Sequence, residues 1–267
     1  VSELAKRVAT GVLLGPAIFL LFWYLPTRFF FFFMVIVAAA AVREVVVMAG
    51  LTRRWFAVCL ALLPFVPLYF KSLEGFLGMM VLSAIIGVAG MLLSADDGRE
   101  PLSRAILVAV SAVALSQVFL IIPLYSLFRL REAAPAWPAV LLLSIWASDT
   151  CAYALGKTFG RRPLVPSVSP KKTYEGLLGA VLGSMALVAL TRGLTGLGVW
   201  EALGLGALLG MLGQLGDIFE SASKRSFSIK DSSALIPGHG GVLDRIDSFL
   251  FSAPFVYFYC TVSAVRP

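Results

Sequence analysis

Charge is scarce in this chain of 267 residues: 14% are Asp, Glu, Lys or Arg, while 59% are hydrophobic. That balance excludes an ordinary soluble domain, which has no interior large enough for so much apolar surface. With a mean hydropathy of +0.91, lipid is the natural solvent. Cysteine is nearly missing too. Cys59, Cys151 and Cys260 are odd in number, show no CxxC spacing and sit in or beside apolar blocks, which excludes a disulfide frame or a zinc site and leaves small core residues. Alternation of apolar and polar residues is also absent from runs such as Phe29 to Ala41, which excludes the strands of a membrane β-barrel. Spanning α-helices are what remains.

What is present is a series of apolar blocks close to the length that a helix needs to cross a hydrocarbon core. They predict an all-α polytopic integral membrane protein with about nine transmembrane helices, near 8–25, 29–49, 55–70, 76–94, 105–127, 137–156, 175–191, 200–221 and 248–265. The first block follows Lys6 and Arg7 and has no small-residue cleavage site behind it, so it is expected to be retained as a helix. With the N-terminus cytoplasmic, the cytoplasmic segments hold Lys6, Arg7, Arg53, Arg54, Arg99, Arg104, Lys157, Arg161, Arg162, Lys171, Lys172, Lys224, Arg225, Lys230 and Arg245. The other face holds Arg28, Lys71, Arg129, Arg131, Arg192 and Arg266. Positive residues are retained inside, so this bias places the C-terminus on the opposite side. The net charge of +7 suits loops facing anionic lipid headgroups and needs no nucleic acid to explain it.

Ionisable residues at membrane depth are costly, and each is a candidate for function. Arg43 and Glu44 are adjacent in the second block and project in different directions, which suits either a tether between helices or a place at a site. Asp149 ends a polar run in the sixth block. The connection beyond it contains Gly156-Lys157-Thr158 and Ser169-Pro170-Lys171-Lys172-Thr173. The first string lacks the upstream glycine and strand of a P-loop, so that match fails. A basic, glycine-punctuated loop with hydroxyls remains, fit to bind phosphate or to enforce topology.

The densest signal starts at Gly213. Asp217, Glu220 and Ser221 stand at i, i+3 and i+4, which puts two carboxylates and a hydroxyl on one helix face, a hard-oxygen set suited to Mg²⁺. Lys224 extends that face by a turn. A glycine-rich segment follows, with Gly238, Gly240 and Gly241 around His239, the sole histidine, and then Asp244 and Asp247, a second carboxylate pair if a helix begins there.

From Ser221 to Asp247 these residues resemble the signature of the phosphatidate cytidylyltransferases: Ser, an apolar residue, Lys224-Arg225, Lys230-Asp231, then Pro237, His239-Gly240-Gly241, Asp244-Arg245 and Asp247. One position departs, Ser223, where the family carries an apolar residue. Asp149-Thr150 with Tyr153, and Ser169 to Gly176, are similar to the family as well. The resemblance implies a reaction of CTP with phosphatidate giving CDP-diacylglycerol and diphosphate, in phospholipid biosynthesis, with the site facing the cytoplasm at the cytoplasmic (inner) membrane. It implies Asp217, Asp244, Lys224, Arg245 and His239 as catalytic residues, and Asp217, Glu220, Asp244 and Asp247 as ligands of Mg²⁺, with room for a second cation on the same carboxylates. Asp149, Lys157, Ser169, Lys171, Lys172, Thr173, Ser221, Arg225, Lys230, Gly240 and Gly241 are then expected to bind substrate. His239 is expected to order the loop or hold phosphate rather than act as a base.

The expected division is an N-terminal set of helices, 1–130, and a catalytic region, 131–267, with cytoplasmic loops 157–175 and 222–247. Expected partners are CTP, phosphatidate and membrane lipids, with no nucleic acid and with a homodimer allowed. Three rival readings compete on the residues: a cation-coupled transporter using Asp149 and Asp217, a CDP-alcohol phosphotransferase, and a catalytically silent lipid-binding homologue. The first lacks an inverted repeat, the second lacks its Asp-Gly-x-x-Ala-Arg string, and the third has only Ser223 in its favour.

Overall fold

The computed structural model describes residues 15–51, 53–92, 102–229, 232–233, 235 and 240–262, with the side chains of 91 and 102–105 left aside. Helix α1 is Gly15–Tyr24 and α2 is Thr27–Met48, entered through Pro26. A helix was expected over 55–70, but two are found, α3 (Arg54–Leu62) and α4 (Phe65–Tyr69). The break falls at Pro64, which has no N–H to continue the helical ladder. Helix α5 is Leu73–Leu92.

The fifth expected block is longer than the sequence pattern suggested. Helix α6 (Leu102–Ser116) passes through a π-helical turn (Gln117–Ile121) straight into α7 (Ile122–Ala133). Buried Gln117 is satisfied inside the bundle, its Nε2 donating to Ser83 Oγ at 2.8 Å and to the Leu60 carbonyl at 3.2 Å. At the far end of α7, Arg131 donates to the carbonyls of Trp23 and Leu25, closing the turn between α1 and α2.

Helix α8 (Ala136–Phe159) leads into two short antiparallel strands, β1 (Pro163–Val165) and β2 (Ser169–Thr173). This hairpin occupies the expected basic, glycine-punctuated loop over 157–175 of a chain that is otherwise helical. It forms because Thr173 ends the second strand and caps the next helix, its Oγ1 accepting from the Gly176 N–H at 3.1 Å. Helix α9 (Tyr174–Thr195) packs closely on α8 through Gly176, Gly179 and Gly183, small residues that let helix backbones approach in a membrane. Helix α10 (Val199–Ser226) is followed by α11 (Leu243–Ile246) and α12 (Phe249–Val262).

Six helical stretches are long and apolar enough to cross a membrane among the described residues: α2, α5, α6 with α7, α8, α9 and α10. Their outward faces carry large apolar side chains such as Phe32, Ile36, Ile85, Leu107 and Leu190, as a lipid-facing surface requires. The chain is therefore a predominantly α-helical membrane protein.

Candidate functional site

The site lies where the end of α10 meets α11. On α10, Asp217, Ser221 and Lys224 follow the expected helical face, with Glu220 between them. The Ser221 hydroxyl donates to Asp217 Oδ1 at 3.3 Å, and Glu220 pairs with Lys224 at 2.7 Å. The chain then returns so tightly that a Cβ on Gly216 would collide with the carbonyl oxygen of Asp247. That contact, available only to glycine, sets Asp247 against Asp217. Ligand oxygens of Asp217, Glu220 and Asp247 lie within 4.8 Å of one another. This three-carboxylate group can hold a metal ion.

Two further observations bear on that fit. Glu220 is 3% exposed, and its Oε1 has no hydrogen-bond partner among the described residues, an orphaned acceptor that a cation would satisfy. Burial, the neighbouring charge of Asp217, and that of Asp149 push the Asp247 carboxyl up to about 7, against the Ser248 N–H and Arg245. Crowded carboxylates with this electrostatic cost are what a hard cation relieves.

Asp244 is engaged differently. Its Oδ1 accepts from Lys224 at 2.6 Å, and its Oδ2 accepts from the Gly241 N–H at 2.8 Å and lies 3.0 Å from the Ser232 hydroxyl, whose one hydrogen it shares with Glu44. Burial raises this carboxyl, but hydrogen bonding with Glu220, Lys224 and Gly241 overrides that and holds it at about 2. Of Asp244 and Asp247 only Asp247 joins the three-carboxylate group, and α11 is a separate short turn rather than the start of α12.

The hairpin closes the other side. Lys172 of β2 pairs with Asp217 Oδ2 at 2.8 Å and reaches the Gln214 carbonyl at 3.4 Å. Gln214 in turn donates to Asp149 Oδ1 at 3.3 Å, which brings α8 to the site. Arg225 fastens the hairpin to the end of α10 by donating to the carbonyls of Val168 and Ile229. Arg245 is exposed beside Asp149 and Asp247.

Some expected residues are placed elsewhere or serve otherwise. Lys157 lies against Tyr153, its Nζ 5.4 Å from the ring centre, about 12 Å along α8 from Asp149 at a helical rise of 1.5 Å per residue. Thr173 is a helix cap. Ser169 and Lys171 are on β2, and Gly240, with φ of +80°, precedes the Gly241 N–H that binds Asp244. Lys230 and His239 lie outside the described residues.

One residue was undervalued by the sequence. Glu44 of α2, 1% exposed, accepts hydrogen bonds from Ser232 (2.9 Å), Ser233 (2.6 Å), and the N–H groups of Val242 (2.9 Å) and Leu243 (2.8 Å). It is the tether of the two readings open to it, and what it holds is the site loop. The only signal was an acid in an apolar block; its partners, nearly two hundred residues away, carry no mark of the pairing.

The model of the cytidylyltransferase family matches residues 5–263. The phosphatidate cytidylyltransferase of Bacillus subtilis is 45% identical over 116 residues, 43% of this chain and 43% of that protein. That of Staphylococcus aureus is 46% identical over 114 residues, 42% of this chain and 44% of that protein. The chain thus spans less than half the length of these two relatives. With that of Staphylococcus saprophyticus it shares 31% identity over 234 residues, 79% of this chain and 90% of the relative. A family match that runs almost from end to end, together with this last relative, establishes that the chain belongs to the cytidylyltransferase family.

Proposed function

We propose that this chain is a membrane nucleotidyltransferase, a phosphatidate cytidylyltransferase that converts CTP and phosphatidate to CDP-diacylglycerol and diphosphate in phospholipid biosynthesis. The observation that carries the reading is the group Asp217, Glu220 and Asp247 between two lysines, Lys172 and Lys224, in a member of this family. The relatives' names supply the substrates.

Mg²⁺ is the cation these oxygen donors suit, and when bound it neutralises charge on the nucleotide phosphates. Asp217, Glu220 and Asp247 would hold it; a second cation on the same carboxylates is compatible with the set. Asp244 acts one step away, fixing Lys224 and the Gly241 turn. The phosphatidate phosphate, with a second pKa of about 6, is already ionised near neutral pH, so no strong base is required. One of its oxygens attacks the α-phosphorus in line, the new P–O bond forms, and the bond to the β-phosphate oxygen breaks with its electron pair leaving on diphosphate. Lys172, Arg225 and Arg245, with Lys171 on the same strand, supply positive charge for the two anionic substrates. His239 serves the loop or a phosphate.

The positive-residue bias supports nine crossings, with α1, the α3–α4 pair and α12 completing the six long stretches, the N-terminus cytoplasmic and the C-terminus outside. The site then faces the cytoplasm at the inner membrane, where CTP and a lipid headgroup meet. Two experiments test the reading. Purified chain given radiolabelled CTP, phosphatidate and Mg²⁺ should yield label in the lipid extract, and no labelled lipid under any metal condition would end the proposal. A C-terminal reporter should be active outside the cytoplasm; a cytoplasmic signal would reverse the parity.

A further inference from the structure

A cavity of about 420 Å³ opens directly beneath the site, within the size range of small-molecule pockets. Its upper rim is polar, formed by Asp149, Asp244, Arg245, Asp247 and Ser248, and the rest of its wall is apolar. Depth can be read along two helices. On α8, Leu142 lies seven residues before Asp149, about 10 Å deeper at 1.5 Å per residue. On α2, where Glu44 marks the level of the site loop, Val37 lies about 10 Å and Phe33 about 16 Å below it. That is about half of a hydrocarbon core roughly 30 Å thick. A cavity with one charged end at a phosphate-handling site and an apolar shaft to mid-membrane matches a lipid phosphate in shape, polarity and orientation. It does not match a nucleotide, whose ribose and triphosphate would find no partner in the shaft.

We propose that this shaft receives an acyl chain of the lipid substrate, and that Val37 and Phe33 set the length of chain accepted. The inference rests on the proposed reaction and goes beyond it by naming specificity-determining residues. A second apolar cavity, of about 350 Å³, lies against the end of α10, lined by Leu115, Phe119 and Phe219 among others, and it reaches Glu220. Its wall offers no cation: Glu220 and three serines, Ser111, Ser116 and Ser223, are its polar lining. The shaft has Arg245 at its mouth among the carboxylates Asp149, Asp244 and Asp247, so it offers a phosphate head a cationic side chain that the second cavity lacks.

The test compares palmitoyl and hexanoyl phosphatidate in the same mixed micelles, using the ratio of their kcat/KM values. Val37→Trp, which fills the shaft halfway, should shift that ratio toward the short chain by about tenfold or more, the scale on which apolar pockets discriminate chain length. Phe33→Ala should shift it toward the long chain, and the KM for CTP should stay within about twofold of the unmodified chain in both variants. Leu115→Trp, in the other cavity, should leave the ratio alone. If Val37→Trp loses all turnover, the ratio of Phe33→Ala decides. An unchanged ratio in Phe33→Ala and in any active Val37→Trp, or a shift produced by Leu115→Trp instead, overturns the inference while leaving the reaction standing. Absence of lipid product from the unmodified chain would be a failure of the reaction itself.

Discussion

The Glu44 carboxylate accepts from the Leu243 N–H at 2.8 Å, joining α2 to the loop that carries Asp244 and Asp247. Four donors converge on its two oxygens. Glu44→Gln keeps the size but replaces one acceptor oxygen by an amide that points hydrogens at donors. Leaving buried donors unpaired costs about 1–3 kcal/mol each. We expect at least a tenfold fall in turnover, on the order of the 1.4 kcal/mol that corresponds to a factor of ten, with a lowered melting temperature in detergent. Full activity with an unchanged melting temperature would remove Glu44 from the support of the site.

Gly216→Ala tests the close approach of α10 to Asp247. In an exposed helix this change stabilises by about 1 kcal/mol. Here the added Cβ meets the Asp247 carbonyl oxygen, and overpacking of that kind costs about 1–3 kcal/mol. The expected sign is destabilising, with loss of metal-dependent turnover, and thermal denaturation reads it directly.

The carboxylates are predicted to divide by role. Asp217→Asn and Asp247→Asn should each weaken Mn²⁺ binding, followed by electron paramagnetic resonance, and lower turnover by about a hundredfold or more, since metal-borne charge stabilisation amounts to several kcal/mol. Asp244→Asn should keep metal affinity within a few-fold while losing turnover, because its oxygens serve Lys224, Ser232 and Gly241. Equal loss of metal binding in all three variants would return Asp244 to the ligand set.

Lys224 is held between Glu220 and Asp244 with side chains 12%, 2% and 9% exposed. Lys224→Met leaves two buried acids without their cation, and breaking such a pair costs about 3–5 kcal/mol. Adding Glu220→Gln to that variant should restore part of the lost stability. If the double variant is no more stable than the single one, the triad is not the source of the effect.

The membrane class, the helical blocks and the order of acids along α10 were legible because they rest on local rules: run length, charge placement and a period of 3.6. The acids Asp217 and Glu220 needed nothing beyond helical spacing to be placed on one face. What stayed hidden depends on contacts between distant segments. The split of Asp244 from Asp247 follows from Lys224 and the Gly241 turn, the hairpin follows from strand pairing across a five-residue strand with Lys172 on it, and the break between α3 and α4 needed Pro64 to be weighed against an apolar run that reads as continuous.

Gly241 packs so closely that a Cβ there would collide with the Ser232 hydroxyl and stand 2.5 and 2.7 Å from the oxygens of Glu44. The two positions therefore form a lock in which neither part can be altered alone. A side chain at 241 demands a shorter group at 44 as well as a displaced Ser232 hydroxyl, and a shorter group at 44 abandons the donors of the loop. Across descent, these two sites should change as a pair or not at all, so a set of relatives in which one varies freely beside a fixed partner would show that the lock is absent.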